Sequence, residues 1–288
     1  MREDYLVVNG VRTRYLEAGH GTPLLLIHGG NFGKEESAND WDTNIEDLGA
    51  TFHVYAPDKI GCGFTDNPKR DTEFVIGTTV QHAYDFLEAM KIRETHVAGH
   101  SRGGYVATRL ALEHPEMVKT LTIVDSSTLM TPPNPQYNLW EKEAAKIPDL
   151  RQRVRYLVTV NSYSGAHVTD DFVDLMVRIV TLPKSREAVT KMEGGLKHQF
   201  REDLVGKQKD THERIRAGGL KCPTRVVWGF NDPSATMERC GIPCMNLVLP
   251  SVPKSEMHIL NHAGHFSFRE QPTAFNRGLI DFIGRYSK

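Results

Sequence analysis

The pentapeptide Gly99-His100-Ser101-Arg102-Gly103, followed at once by Gly104, leaves this chain few ways to fold locally. It lies between a short apolar run at 96–98, which reads as a strand, and a helical pattern at 103–113. That helix must stop before Pro115. A chain that leaves a strand and enters a helix within one residue brings its own backbones very close together. Glycines on both sides make that approach possible. The serine is held at the carboxyl end of the strand, above a helix N-terminus whose amides favour developing negative charge. A serine in that strand-turn-helix setting reads as a nucleophile.

The rest of the chain agrees with a βα architecture. Runs at 11–16, 24–27, 53–56 and 118–124 read as strands, and the unbroken apolar run at 24–27 suits a strand buried on both faces. Val80, Ala83, Tyr84, Leu87 and Met90 recur at helical spacing over 78–90. Strands alternating with helices imply a mostly parallel sheet covered by helices. After Asp125 the character changes. The segment TPPNP at 131–135 is a rigid breaker, and 137–215 reads as helical, with one stripe marked by Leu175, Met176, Ile179 and Leu182. Strand patterns resume at 224–228 and 257–260, and a helix at 273–286 closes the chain. The expected organisation is an α/β core of 1–130 and 216–288, with a helical cap of 131–215 inserted between its halves.

The 35 Lys and Arg residues nearly balance 36 Asp and Glu, for a net charge of −1. Such a surface makes neither nucleic acid nor an anionic membrane an expected partner. The first residues show no signal-peptide pattern, and the longest apolar runs have strand length. The expectation is a cytoplasmic protein acting on a small molecule, with a homo-oligomer left open. The four cysteines make no disulfide framework. Cys240 and Cys244 form a C-x3-C pair without two further ligands at matching spacing, so no metal is expected. Cys62, between Gly61 and Gly63, reads as a small residue in a tight loop. No organic cofactor or phosphate-binding loop is expected.

A serine hydroxyl needs a base. His265, in Gly264-His265-Phe266, lies in the loop after the last strand pattern, where a base can reach the serine. His258 falls within that strand and His262 early in the loop. The acid that orients the imidazole should follow an earlier strand. Asp232 does so after 224–228, and Asp125 does so after 118–124 and competes with it. Asp58 reads as a brace for the Ile60-Gly-Cys-Gly63 loop. The oxyanion needs two backbone donors. One is expected from the Arg102 amide. The other is expected from the loop after 24–27, at Gly30 or its neighbour Asn31, with the His28 side chain as a brace.

These residues, from His28-Gly-Gly through the Ser101 pentapeptide and Asn231-Asp232-Pro to Gly264-His265, resemble the α/β-hydrolase family in order and approximate spacing along essentially the whole chain. The resemblance implies an α/β-hydrolase fold with an inserted helical lid. Within the superfamily the glycine-rich loop and lid resemble the meta-cleavage product hydrolases, which cut a carbon–carbon bond, and the monoalkyl phthalate hydrolases, which cut an ester. Both substrate classes carry a carboxylate. A lid arginine binds it in the carbon–carbon enzymes, and Arg178 is the matching position. Asn31, His100 and Phe266 would line the substrate. The carbon–carbon enzymes usually have Asn, Met and Trp where this chain has His100, Arg102 and Phe266.

The first functional expectation is therefore a serine carboxylesterase, with Ser101, Asp232 and His265 as its triad and Gly30 and Arg102 as its oxyanion donors. Its substrate would be a small acid-bearing ester, aromatic and similar to a monoalkyl phthalate. The alternative is carbon–carbon cleavage of a 2-hydroxy-6-oxo-dienoate in aromatic degradation. A third reading is a non-hydrolytic ligand-binding protein on the same fold.

Overall fold

The computed structural model describes residues 1–130 and 135–286; residues 131–134 of the breaker segment lie outside them. Eight strands form one sheet in the order β1-β2-β4-β3-β5-β6-β7-β8. They are β1 (Arg2–Val8), β2 (Val11–Ala18), β3 (Pro23–Ile27), β4 (His53–Pro57), β5 (Thr95–His100), β6 (Val118–Val124), β7 (Thr224–Gly229) and β8 (Ser255–Leu260). From β4 to β8 neighbouring strands are parallel, whereas β1 and β2 run antiparallel at one edge. This is the mostly parallel sheet that the βα alternation implies.

Strand β1 was not among the expected strands. Its sequence, REDYLVV, is charged and largely exposed, as an edge strand can be, so apolar periodicity is weak there. A turn signal does mark it. Asn9 and Gly10 both take positive φ, 48° and 79°, between the paired Val8 and Val11. Asn-Gly is the preferred dipeptide for a two-residue turn of that hand.

Helices cover both faces. The core helices are α1 (Asp42–Gly49), α2 (Ile76–Ala89), α3 (Arg102–Glu113), α4 (Ser127–Met130), and later α10 (Ile242–Val248), α11 (Ser267–Glu270) and α12 (Pro272–Tyr286). Strand alternation divides the core: Leu25 and Ile27 of β3 pack with α2 and α3, whereas Leu24 and Leu26 pack with α1 and α12. A buried side chain on each face explains why β3 reads as an unbroken apolar run. Between α4 and β7 the described residues form α5 (Pro135–Ala145), α6 (Leu150–Val160), α7 (Asp170–Thr181), α8 (Pro183–Lys191) and α9 (Lys197–Arg216). Val154 and Val158 of α6 and Phe172, Val173 and Met176 of α7 join the apolar cluster on the α1 side. The helices between α4 and β7 are thus packed onto the core. Among the described residues no helix is long and apolar enough to cross a membrane.

Candidate active site

The backbone between β5 and α3 accounts for the glycines of the pentapeptide. A Cβ on Gly99 would lie 2.2 Å from the Gly103 carbonyl oxygen, and one on Gly103 would lie 2.3 Å from the Ile27 oxygen. Any side chain at either position would push strand and helix apart. Ser101 itself takes φ 52° and ψ −119°, a strained conformation for a residue with a Cβ. Its amide donates to the Val124 carbonyl at 2.8 Å, and its own carbonyl accepts from the Ser126 hydroxyl at 2.6 Å. Those bonds hold the strained turn and aim Oγ away from the sheet.

His265 Nε2 lies 3.0 Å from Ser101 Oγ, and His265 Nδ1 lies 2.7 Å from Asp232 Oδ2. With Nδ1–H donating to the carboxylate, Nε2 is left as the acceptor for the serine proton. The other oxygen of Asp232 accepts from the Ser234 amide at 2.8 Å, the Ser234 hydroxyl at 3.0 Å and the Ala235 amide at 2.7 Å. These donors fix the carboxylate for the imidazole. Burial by itself lowers the His265 pKa, but the charge of Asp232 and its hydrogen bond outweigh that and raise it above the ordinary imidazole value.

Asp125, the competing acid, has other hydrogen-bond partners than His265. Its backbone is strained, with φ 45°, and its carboxyl accepts from the Gly229 amide at 2.7 Å and the Ser267 hydroxyl at 2.5 Å. It ties the end of β6 to β7 and to α11. Burial first, and then the nearby Asp232 charge, push its pKa well up.

The Gly29-Gly30 loop rests on a buried lysine. Lys59, buried behind the loop, donates from Nζ to the Gly29 carbonyl at 2.6 Å and the Gly30 carbonyl at 2.8 Å. In a trans peptide the N–H points opposite to the preceding C=O. With both carbonyls turned onto the ammonium, the Gly30 and Asn31 amides face away from it and are available as donors. His28 completes the brace: Nε2 accepts from the Lys59 amide at 3.0 Å, so Nδ1 carries the proton it gives to the Gly29 carbonyl at 2.9 Å. Burial pushes the His28 pKa well down, which keeps the ring neutral for both bonds. The signal for Lys59 was its place right after Asp58. Asp58 does brace the following loop, accepting from the Phe64 amide at 2.7 Å.

The base is also tied to the cap. The His265 amide donates to the Asn161 carbonyl of the cap at 3.0 Å. Glu270 accepts from the Gly264 amide through one oxygen and from the Ser164 amide of the cap through the other, each at 2.8 Å.

Three residues expected to line the substrate are placed differently. His100 is buried beneath the triad, because the last residue of β5 alternates away from Ser101. Its Nε2 donates to the His265 carbonyl at 2.8 Å, and its ring packs on Phe268. Phe266 is 5 % exposed and packs between the rings of His100 and His167, edge-on to His265. Arg178 is exposed on α7, its guanidinium 5.0 Å from the centre of the Phe64 ring. The buried face of α7 belongs to Phe172, Val173, Met176 and Ile179, which leaves Arg178 on the other side. Asn31 lies beside Gly30 and Arg102 around a small cavity.

The sequence profile for the alpha/beta hydrolase fold matches residues 22–170, more than half of the chain. A 2-hydroxy-6-oxo-6-(2'-aminophenyl)hexa-2,4-dienoic acid hydrolase of Metapseudomonas resinovorans is 28% identical over 98% of this chain and 91% of its own length. A 2-hydroxymuconate semialdehyde hydrolase of Pseudomonas sp. (strain CF600) is 25% identical over 96% of this chain and 92% of its own. Among solved structures, a serine hydrolase involved in carbazole degradation superposes with TM-score 0.76 at 25% identity, covering 98% of each chain. A meta-cleavage product hydrolase superposes with TM-score 0.79 at 24% identity, covering 98% of each, a likeness of fold.

Proposed function

The chain belongs to the α/β-hydrolase family, and from that premise we propose that it hydrolyses a carbon–carbon bond beside the ketone of a ring-opened aromatic acid, a 2-hydroxy-6-oxo-dienoate. The observation that carries this reading is similarity along nearly the whole chain, cap included, to relatives named for such substrates. It replaces the ester as the leading substrate.

The chemistry follows from the site. Ser101 Oγ adds to the ketone carbon while His265 Nε2 takes its proton. The Gly30 and Arg102 amides receive the oxyanion, each such donor contributing on the order of 3 kcal/mol to the transition state. With the substrate in its 2-keto tautomer, its 2-hydroxyl proton moved to the carbon beside the 6-ketone, the carbon–carbon bond then breaks and its electron pair is delocalised through the alkene onto the 2-oxygen. His265 returns its proton to that oxygen, which gives the 2-hydroxy-dienoic acid. Water activated by the same imidazole releases the second product as a carboxylic acid and frees the serine. No step requires a metal or an organic cofactor.

The same triad would hydrolyse an acid-bearing ester, the second reading. It is favoured by Arg102, which stands where the carbon–carbon enzymes usually carry an apolar residue. Initial rates on a ring-opened dienoate and on a monoalkyl phthalate separate the two. Dominant dienoate turnover, abolished in Ser101→Ala, is the expected result. Dominant phthalate turnover would move the assignment to the ester. A binding protein without turnover would show neither, and its serine would not take up a fluorophosphonate.

A further inference from the structure

A carboxylate-bearing substrate is favoured by a cation near the serine, and Arg178 is exposed on α7 against Phe64. Arg102 is placed to supply that cation. Its Nη1 donates to the Gly30 carbonyl at 3.2 Å, and the guanidinium lies 5.1 Å from the centre of the Phe200 ring. Its Nε is buried with no hydrogen-bond partner, and among the described residues it forms no ion pair with a carboxylate. Glu36 also stands at Gly30. Its Oε2 lies 2.1 Å from where a Cβ on Gly30 would be, and it too is buried with no partner. A cation and a carboxylate therefore stand at one oxyanion-loop residue without bonding each other. Leaving a buried polar atom of a charged group without a partner is unfavourable. A protein that keeps two such groups apart next to its nucleophile leaves both for a ligand.

We propose that Arg102 and Glu36 together recognise a carboxylate bearing a hydrogen-bond donor on the adjacent carbon, the 2-hydroxy-acid end of a substrate. The planar guanidinium offers parallel N–H donors that match a carboxylate. A simple acid in that place would set its charge against Glu36. A hydroxyl on the neighbouring carbon removes the conflict by donating to Glu36 Oε2, so the pair selects 2-hydroxy acids over plain ones. Tyr137 of the cap stands near the same two groups. Burial, and then the charges of Glu36 and Glu35, push its pKa well up and keep its hydroxyl a neutral donor.

The choice of a 2-hydroxy acid rests on the dienoate reading, and binding tests it without turnover. On Ser101→Ala protein, calorimetry would give affinities for 2-hydroxy-2-phenylacetate and phenylacetate. The expected result is at least tenfold tighter binding of the hydroxy acid. Adding Arg102→Gln should weaken both acids by tenfold or more. Adding Glu36→Ala should abolish the preference between them. Arg178→Ala should change neither. Fluorophosphonate labelling of Ser101 in the single Arg102→Gln and Glu36→Ala proteins reports that the site is still assembled. The proposal is overturned if neither acid binds at millimolar concentration. It is also overturned if Arg102→Gln leaves both affinities intact, if the preference survives Glu36→Ala, or if Arg178→Ala is the change that removes acid binding. Should the pattern hold while the dienoate is not turned over, the recognition site stands and the reaction assignment falls.

Discussion

The two flanks of Ser101 follow different rules. On the triad side the acid is tightly partnered, although His100 beneath it keeps a bare Nδ1: Asp232 alone accepts four hydrogen bonds, one from His265 and three from Ser234 and Ala235. Along the oxyanion loop the backbone is equally well braced by Lys59 and His28, yet Arg102 and Glu36 keep bare polar atoms. On the proposed reading the difference separates chemistry from recognition: the carboxylate that must hold a geometry before substrate arrives is satisfied by the protein, and the two groups proposed to meet substrate are left open.

The largest test of this contrast is Asp232→Asn. The amide can no longer take the Nδ1 proton as a carboxylate does, so the imidazole loses its tautomer and its counter-charge. A fall in kcat of about 10⁴ is expected, with the melting transition nearly unchanged. Asp125→Asn should cost tenfold or less, because an amide oxygen still accepts from Gly229 and its NH2 can donate to Ser267. Burial already holds Asp125 toward its neutral form. Steady-state kinetics on both variants decide the acid, and a reversed order would transfer that role to Asp125.

Much of the triad side was legible because it rests on short-range backbone rules. Glycines flanking a serine between a strand and a helix, an Asp just past a strand and a His in the last loop each follow from local pattern. What escaped is set by direction. Whether His100 faces the substrate depends on the pleat of β5, and whether Arg178 does depends on how α7 is rolled about its axis. Residue type reports neither. Lys59 escaped for a third reason: its partners are the carbonyls of Gly29 and Gly30, thirty and twenty-nine residues away. The Asn9-Gly10 hairpin, by contrast, carries a local turn signal although the strand before it is charged.

A smaller effect is expected in the pH profile. His265 works as a base only when neutral, so activity falls as pH drops through its pKa. Because Asp232 raises that pKa, the acid limb should lie above the ordinary imidazole value of about 6.5. In Asp232→Asn the opposing charge is gone while the burial remains, so the residual activity should persist to lower pH. A limb that stays in place would mean that another group sets it.

The cap offers a further test of the well-partnered side. Glu270 joins the Gly264 amide of the base loop to the Ser164 amide of the cap, so the position of the imidazole depends on the cap being seated. Glu270→Gln can accept through one oxygen only and turns an NH2 group toward the other backbone N–H. Displacing a catalytic group by about 1 Å can cost up to about 10² in rate. A loss of about tenfold is expected, carried by kcat more than KM and without a change in melting temperature large enough to unfold the chain. A pure KM effect would instead make Glu270 a brace of the substrate pocket.

The smallest expected effect bears on the open side. Arg178→Ala removes an exposed guanidinium whose contact is the face of Phe64, an interaction worth about 0.5–1 kcal/mol at exposed sites. KM for acid-bearing and for neutral substrates should therefore stay within about twofold of the parent. If KM rose tenfold for the acid alone, α7 would have to roll by a large part of a turn when substrate binds, exchanging Arg178 for the buried Val173, Met176 and Ile179. That roll would expose an apolar stripe that now packs against the core, at roughly 1.5–3 kcal/mol for each large side chain. The burial of that stripe is the physical reason for expecting the carboxylate to be met by Arg102 rather than by Arg178.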